Sequence, residues 1–267
     1  MPRHLFINAD TDGVRACDTA AHQISVLTRP LAQAPNQDCA AVLELENGAC
    51  VLTVADGMGG GPAGDTASRL AVVTLCDQVE AAAKAGLPLR AGILNGFESA
   101  HQAVLDHAAG AATTLLVAEL QQDMARLYQV GDSSALVFGQ RGLLKQQTTS
   151  HSPVGYAVRS GLLGEDEALV HEDRHYVSNM IGFESMSVEV GLPFRLAARD
   201  TIVLGSDGLF DNLSADEVVA AARTGPLGHA VTSLATLARQ RMADNEGGEP
   251  RGKPDDLAII GHRLNPR

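Results

Sequence analysis

Aspartates stand at the edges of apolar runs along this chain, several of them beside a glycine. Asp38 precedes CAAVLEL, Asp56 and Gly57 follow VLTVA, Gly131 and Asp132 follow ARLYQV, Asp207 and Gly208 follow TIVLGS with Asp211 four residues on, and Asp255 with Asp256 precedes LAIIG. A carboxylate at the mouth of a buried strand, next to a glycine whose bare carbonyl can approach a ligand, presents oxygen atoms to a hard cation. Taken alone, Gly131 with Asp132 reads as a simple turn. The spacing of Asp207 and Asp211 instead puts both carboxylates on one side of a tight turn or first helical turn. An antiparallel strand begins where its neighbours end, so Asp255 can lie at the same sheet edge as Asp56, Asp132 and Asp207.

The elements that must position these residues can be read from periodicity. Residues 23–28 form a short apolar alternation, residues 41–45 a strand closed by the turn pair Asn47 and Gly48, and residues 49–55 the strand that delivers Asp56. Strand, turn and strand with no room for a crossover helix imply antiparallel pairing. Two helices follow, over 65–85, ended by Gly86 and Pro88, and over 89–107. Strand-like runs resume at 110–120, 124–130 and 135–138, and Ser214 with Glu217 forms a capping-box signature opening a helix near Ala215. This order predicts an α+β fold in which antiparallel sheets are covered by helices, not alternating βαβ units.

Composition bounds the function. With 45% hydrophobic residues in 267, the chain can bury a sizeable core. A formal charge of -12 with no Lys/Arg cluster argues against nucleic acid or an anionic membrane as partner. Residues 1–22 lack the apolar core of an export signal, and no apolar run is long enough to span a membrane, so a cytoplasmic protein is expected. Cys17, Cys39, Cys50 and Cys76 have no metal-site or disulfide spacing, which fits a reducing compartment. The nine histidines form no HExxH pattern, and His101 and His107 read as surface or helix-end residues. DTDG at 10–13 lacks the later ligands of a calcium loop and reads as a turn. No heptad or repeat argues for obligate assembly, so a monomer is expected.

Taken in order, NQD at 36–38, VADGMGG at 54–60, GAATTL at 110–115, VGDSS at 130–134, SDGLFD at 206–211 and DDLAII at 255–260 resemble the motifs of metal-dependent protein phosphatases of the PP2C (PPM) type, bacterial members in particular. The resemblance covers residues 23–264 and implies a four-layer α/β/β/α sandwich, two antiparallel sheets flanked by helical pairs. It also implies a binuclear Mg2+ or Mn2+ centre at one end of the sheets. By that resemblance Asp56 matches the carboxylate bridging both metals and Gly57 a backbone carbonyl ligand. Asp207 and Asp255 match ligands of the first metal, and Asp38 the acidic support of the second, through water. Asp132 and Asp211, with Asp207, match a third and weaker site. All-oxygen ligands suit Mg2+ or Mn2+, whereas zinc would call for His or Cys.

The activity so implied is hydrolysis of phosphoserine and phosphothreonine on proteins, substrates of a bacterial Ser/Thr kinase, by a metal-activated water without a covalent phosphoenzyme. The expected domain is single, residues 1–267, with residues 1–22 as an N-terminal extension and about 152–169 as a flap that selects substrate. Three positions depart from the family pattern. Gln33 stands where a phosphate-holding Arg is common, with Arg29 the nearest candidate; Met58 stands where some members carry a general-acid histidine; and TTSHS at 148–152 puts Ser150 in place of an Asp before His151. Arg159 and Arg174 are candidate replacements for the phosphate contact, and HYVSNMIG at 175–182 matches a further family stretch. The alternative reading, a catalytically weakened relative that binds phosphoproteins without turning them over, rests on Gln33.

Overall fold

Strand-forming alternation in this chain sorts its apolar residues onto two faces, and the computed structural model stacks those faces into four layers. It describes residues 1–32, 35–58, 63–107, 110–244 and 252–265. One sheet is built on β1 (Arg3–Ile7), β4 (Asp38–Glu44), β5 (Cys50–Met58), β7 (Leu115–Gln121), β8 (Met124–Val130) and β11 (Glu189–Val190), in that order. β6 (Ala112–Thr113) pairs with β5, and β12 (Phe194–Arg195) pairs with β8. The other sheet runs β10 (Leu144–Gln147), β9 (Ser134–Phe138), β13 (Thr201–Gly205), β14 (Leu257–Leu264), β3 (His22–Arg29) and β2 (Arg15–Ala16). Every pairing in both sheets is antiparallel.

Residue parity decides which core each side chain enters. On β4, Cys39, Ala41 and Leu43 pack under the helices α1 (Ala63–Lys84) and α2 (Leu89–His107), while Ala40 and Val42 face the opposite sheet. On β5, Leu52 and Val54 share that inter-sheet layer with Leu116, Val137, Ile202, Leu204, Ala258 and Ile260. The outer face of the second sheet, with Leu136, Val203 and Ile259, is covered by α6 (Ala215–Ala222) and α7 (Leu227–Ala243). The expected α/β/β/α sandwich is therefore observed.

The main differences from expectation lie in the periphery. Residues 1–22, read as an extension, supply edge strands β1 and β2, because Phe6 packs toward the inter-sheet core and Ile7 toward the helix-side core. α7 lies outside the elements read from sequence, although Leu227, Ala230, Val231, Leu234, Ala235 and Ala238 recur at helical spacing on its buried face. The expected helix near Ala215 is present, and Ser214 and Glu217 close its capping box. No described helix is long and apolar enough to cross a membrane.

Candidate metal centre

The same parity that sends Ala40, Val42, Leu52 and Val54 between the sheets sends Asp38 and Asp56 there too, at the end of the sandwich. The two aspartates are directly paired across β4 and β5. Asp56 is fixed through its backbone: its carbonyl accepts from Thr114 N–H at 2.9 Å and from the Thr113 hydroxyl at 2.8 Å, and its own N–H donates to Thr114 Oγ1 at 2.9 Å. Thr113 and Thr114 belong to the GAATTL stretch, whose positioning role is not evident from sequence. Gly57 is required by close approach, since a Cβ there would collide with the Gly64 carbonyl at the start of α1 and crowd the Gln37 carbonyl.

From the second sheet, β13 ends at Gly205 and turns through Ser206 into the short helix α5 (Asp207–Phe210), whose C-cap is Asp211. Gly208 packs so closely on the Asp256 carbonyl that no side chain fits between them. Asp255 precedes β14, and its neighbour Asp256 accepts the N–H groups of Leu31 and Gln37 at 2.7 and 2.6 Å, tying the loop before Asp38 to the start of β14. The third contribution is the turn between β8 and β9. Its Asp132 is buried, and the turn is held by Gln129, whose amide donates to the Gly131 and Ser133 carbonyls at 3.0 Å each. All the expected carboxylates, Asp38, Asp56, Asp132, Asp207, Asp211 and Asp255, are thus delivered to one end of the double sheet.

Crowding of buried like charges perturbs them strongly. Burial first, then the fields of Asp207, Asp38 and Asp255, hold the Asp56 carboxyl well above the usual range. Asp38 is raised by burial against the hydrogen bond from Ser206, with Asp255 and Asp207 adding to the rise. Burial and Asp207 push Asp132 up to about 7, Asp211 to about 8 and Asp255 to about 6. Lys253 answers this field. Lys253 Nζ pairs with Asp207 Oδ2 and lies 3.2 Å from both Asp211 Oδ2 and Asp255 Oδ2. Burial would lower its pKa, but these carboxylates raise it overall, so the ammonium persists.

The stretch 243–254, ADNEGGEPRGKP, reads from its composition as a surface loop before the last strand; residues 245–251 lie outside the described residues, and Lys253 stands inside the cluster. Its only sequence signal is a basic residue two positions before Asp255. Among the described residues, no three His, Cys, Asp or Glu side chains converge closely enough to chelate an ion as they stand. The donor set nonetheless fits hard divalent ions: every donor is oxygen, and buried Asp207 Oδ1 has no hydrogen-bond partner.

The remaining positions singled out from the sequence are scattered. Gln33 and the glycine turn at 59–61 lie outside the described residues. Arg29 ends β3 opposite Leu257, its Nε 3.8 Å from Asp10 Oδ1. Met58 is exposed. Arg159 and Arg174 line a cavity of 620 Å³ that also contacts Asp132 and Asp211 and is walled by α3 (Pro153–Arg159) and α4 (Glu165–Ala168), both within the expected flap. His151 is buried beneath it; its Nδ1 accepts from Gly131 N–H at 3.1 Å and lies 2.8 Å from the Asn179 amide nitrogen, and its Nε2 lies 3.1 Å from Glu189 Oε2. The cysteines offer no nucleophile: all four are free and buried, and burial pushes Cys17 and Cys39 up to about 11 and Cys50 and Cys76 to about 12.

An all-oxygen, carboxylate-rich cluster at the end of a four-layer sandwich is a donor set suited to hard divalent ions. A family model described as Protein phosphatase 2C matches residues 31–242, and the chain belongs to that family. It is 31% identical over 185 residues to the serine/threonine phosphatase stp of Listeria monocytogenes, covering 65% of this chain and 72% of that protein. The solved serine/threonine phosphatase of S. agalactiae matches with a TM-score of 0.75 and 26% identity, over 91% of this chain and 100% of that one. The catalytic domain of PstP, solved in complex with two manganese ions, shares the fold with a TM-score of 0.70 at 22% identity, over 92% of this chain and 99% of that one.

Proposed function

We propose that this chain hydrolyses phosphoserine and phosphothreonine on proteins at a pair of Mg2+ or Mn2+ ions. The observation that carries the reading is the meeting of Asp38 and Asp56, paired on the inner face of one sheet, with Asp207 and Asp255 from the other. Asp56 would bridge the ions, Asp207 and Asp255 would hold the first, the Gly57 carbonyl would add a ligand, and Asp38 would support the second through water. Such a pair supplies a water of lowered pKa and charge stabilisation for the phosphoryl oxygens.

The protein's own contribution is positioning. Thr113 and Thr114 hold the Asp56 backbone, Ser206 orients Asp38, and the turn carrying Asp132 is braced by Gln129 and His151. Arg159 and Arg174 line the cavity that reaches Asp132 and Asp211, so the flap over 152–169 is where the phosphorylated segment would lie and where substrate choice would be made. The chain is taken as one domain over residues 1–267, a cytoplasmic monomer opposing a bacterial Ser/Thr kinase.

The test is phosphate release from a phosphothreonine peptide and from a chromogenic aryl phosphate by purified protein, with Mn2+ and with chelator. Release from both that chelator abolishes is expected. Absence of metal-dependent release from either substrate would sink the enzyme reading in favour of a phosphoprotein-binding relative.

A further inference from the structure

Lys253 is built into the acidic cluster. Its backbone N–H donates to Asn212 Oδ1 at 2.9 Å, and the Asn212 amide donates at 3.0 Å to the carbonyls of both Lys253 and Gly208. That clamp locks residue 253 to the α5 turn, the same turn that carries Asp207 and Asp211. The preceding Gly252 is buried, and a Cβ there would strike the Arg241 carbonyl, so the approach of the chain is fixed as well. The side chain is mostly buried, with 21% of it exposed. A lysine ammonium is a compact point charge with three donors, and here three carboxylates receive it.

The position of that charge matters. Of the three carboxylates, Asp207 and Asp255 belong to the first-ion set, while Asp207 and Asp211 belong to the outer set shared with Asp132. Asp207 Oδ1 remains without a hydrogen-bond partner in a residue only 8% exposed, so an ion can still be received on that side while the ammonium holds Oδ2. Two divalent ions leave the six aspartates with surplus negative charge, and the ammonium offsets part of it. A third divalent ion between Asp207 and Asp211 would have to share carboxylate oxygens with Lys253 Nζ, at the cost of cation repulsion in a partly buried site.

We propose that Lys253 is a resident cation occupying the outer position between Asp207 and Asp211, so that the loaded centre of this chain holds two divalent ions and an ammonium in place of three ions. This rests on the two-ion reading above. Tethered to the chain, the ammonium compensates Asp211 at any metal concentration, and metal binding ends at the second ion.

The experiment is Mn2+ stoichiometry by equilibrium dialysis with elemental analysis, on wild type, Lys253→Ala and Lys253→Arg, together with melting of each protein in chelator. Wild type and Lys253→Arg are expected to saturate at two ions. Lys253→Ala is expected to take up a third ion under conditions where wild type stops at two, and to melt lower than wild type only when metal-free. Three ions on wild type would overturn the proposal whether or not the variants fold, and equal stoichiometry and affinity in wild type and a folded Lys253→Ala would overturn it as well. Absence of any bound ion in all three proteins would overturn the two-ion reading along with it, an outcome distinct from either of the others.

Discussion

The Ser206 hydroxyl donates to Asp38 Oδ2 at 2.6 Å, joining the end of β13 in one sheet to the start of β4 in the other. Ser206 Oγ in turn accepts Ala258 N–H at 3.1 Å, so the hydroxyl is held from β14 as well. Asp38 is 1% exposed, and removing its donor leaves a buried carboxylate short of a partner. Ser206→Ala is expected to destabilise the protein by about 1–3 kcal/mol and to weaken Mn2+ binding, read by thermal melting and by metal titration. Unchanged values in both would mean that the bridge contributes nothing to the centre.

Asp207 lies at the intersection of the cluster: its charge raises Asp56, Asp132, Asp211 and Asp255, and it pairs with Lys253. Asp207→Asn is nearly isosteric but removes that charge. Turnover and Mn2+ binding should fall together, while the metal-free protein keeps its fold by circular dichroism. A variant with wild-type turnover would refute the assignment of Asp207.

His151 joins the flap side of the cleft to the Asp132 turn. Its Nδ1 accepts from Gly131, which leaves the proton on Nε2, facing Glu189. His151→Phe strands the Gly131 N–H and one of the two amide N–H groups of Asn179, whose other bonds to Ser187 remain, and a loss of about 2–4 kcal/mol is expected, with a lower kcat. Glu189→Gln keeps an acceptor for Nε2–H and should melt within about 1 kcal/mol of wild type. Equal losses in the two variants would rule out the Gly131 contact as the reason.

The metal-free protein should lose stability with rising pH. Asp255, Asp132 and Asp211 are raised to about 6, 7 and 8, mainly by burial and then by Asp207, whereas in the unfolded chain they titrate near 3.9. Their protonated forms support the fold fully below about pH 4, and that support is withdrawn as pH climbs through the 6–8 window. In chelator, Tm should therefore fall by about 5–10 °C between about pH 5 and about pH 8. Saturating Mn2+ should remove the fall, because bound cations compensate the charge. A chelated protein that melts higher at pH 8 than at pH 5 would contradict the crowding of these carboxylates.

Much of this centre is legible in the chain itself. Strand parity alone puts Asp38 in step with Ala40 and Val42, and Asp56 in step with Leu52 and Val54, so the face each carboxylate takes is written locally. The α5 turn follows from the spacing of Asp207 and Asp211, and α6 from its capping box. The short strands β10, β11 and β12 are harder to read because most of their residues are exposed and carry no alternation.

What the amino-acid order determined, then, is which oxygen donors reach a sheet edge and on which face, since period and turn chemistry act over a few residues. Tertiary structure decided the rest. Ser206 meets Asp38 across 168 positions of chain, Lys253 meets Asp207 across 46, and Glu189 meets His151 across 38. Those meetings depend on how the two sheets pack and how the loops return, and no local pattern encodes a distance between segments that only a shared core brings together.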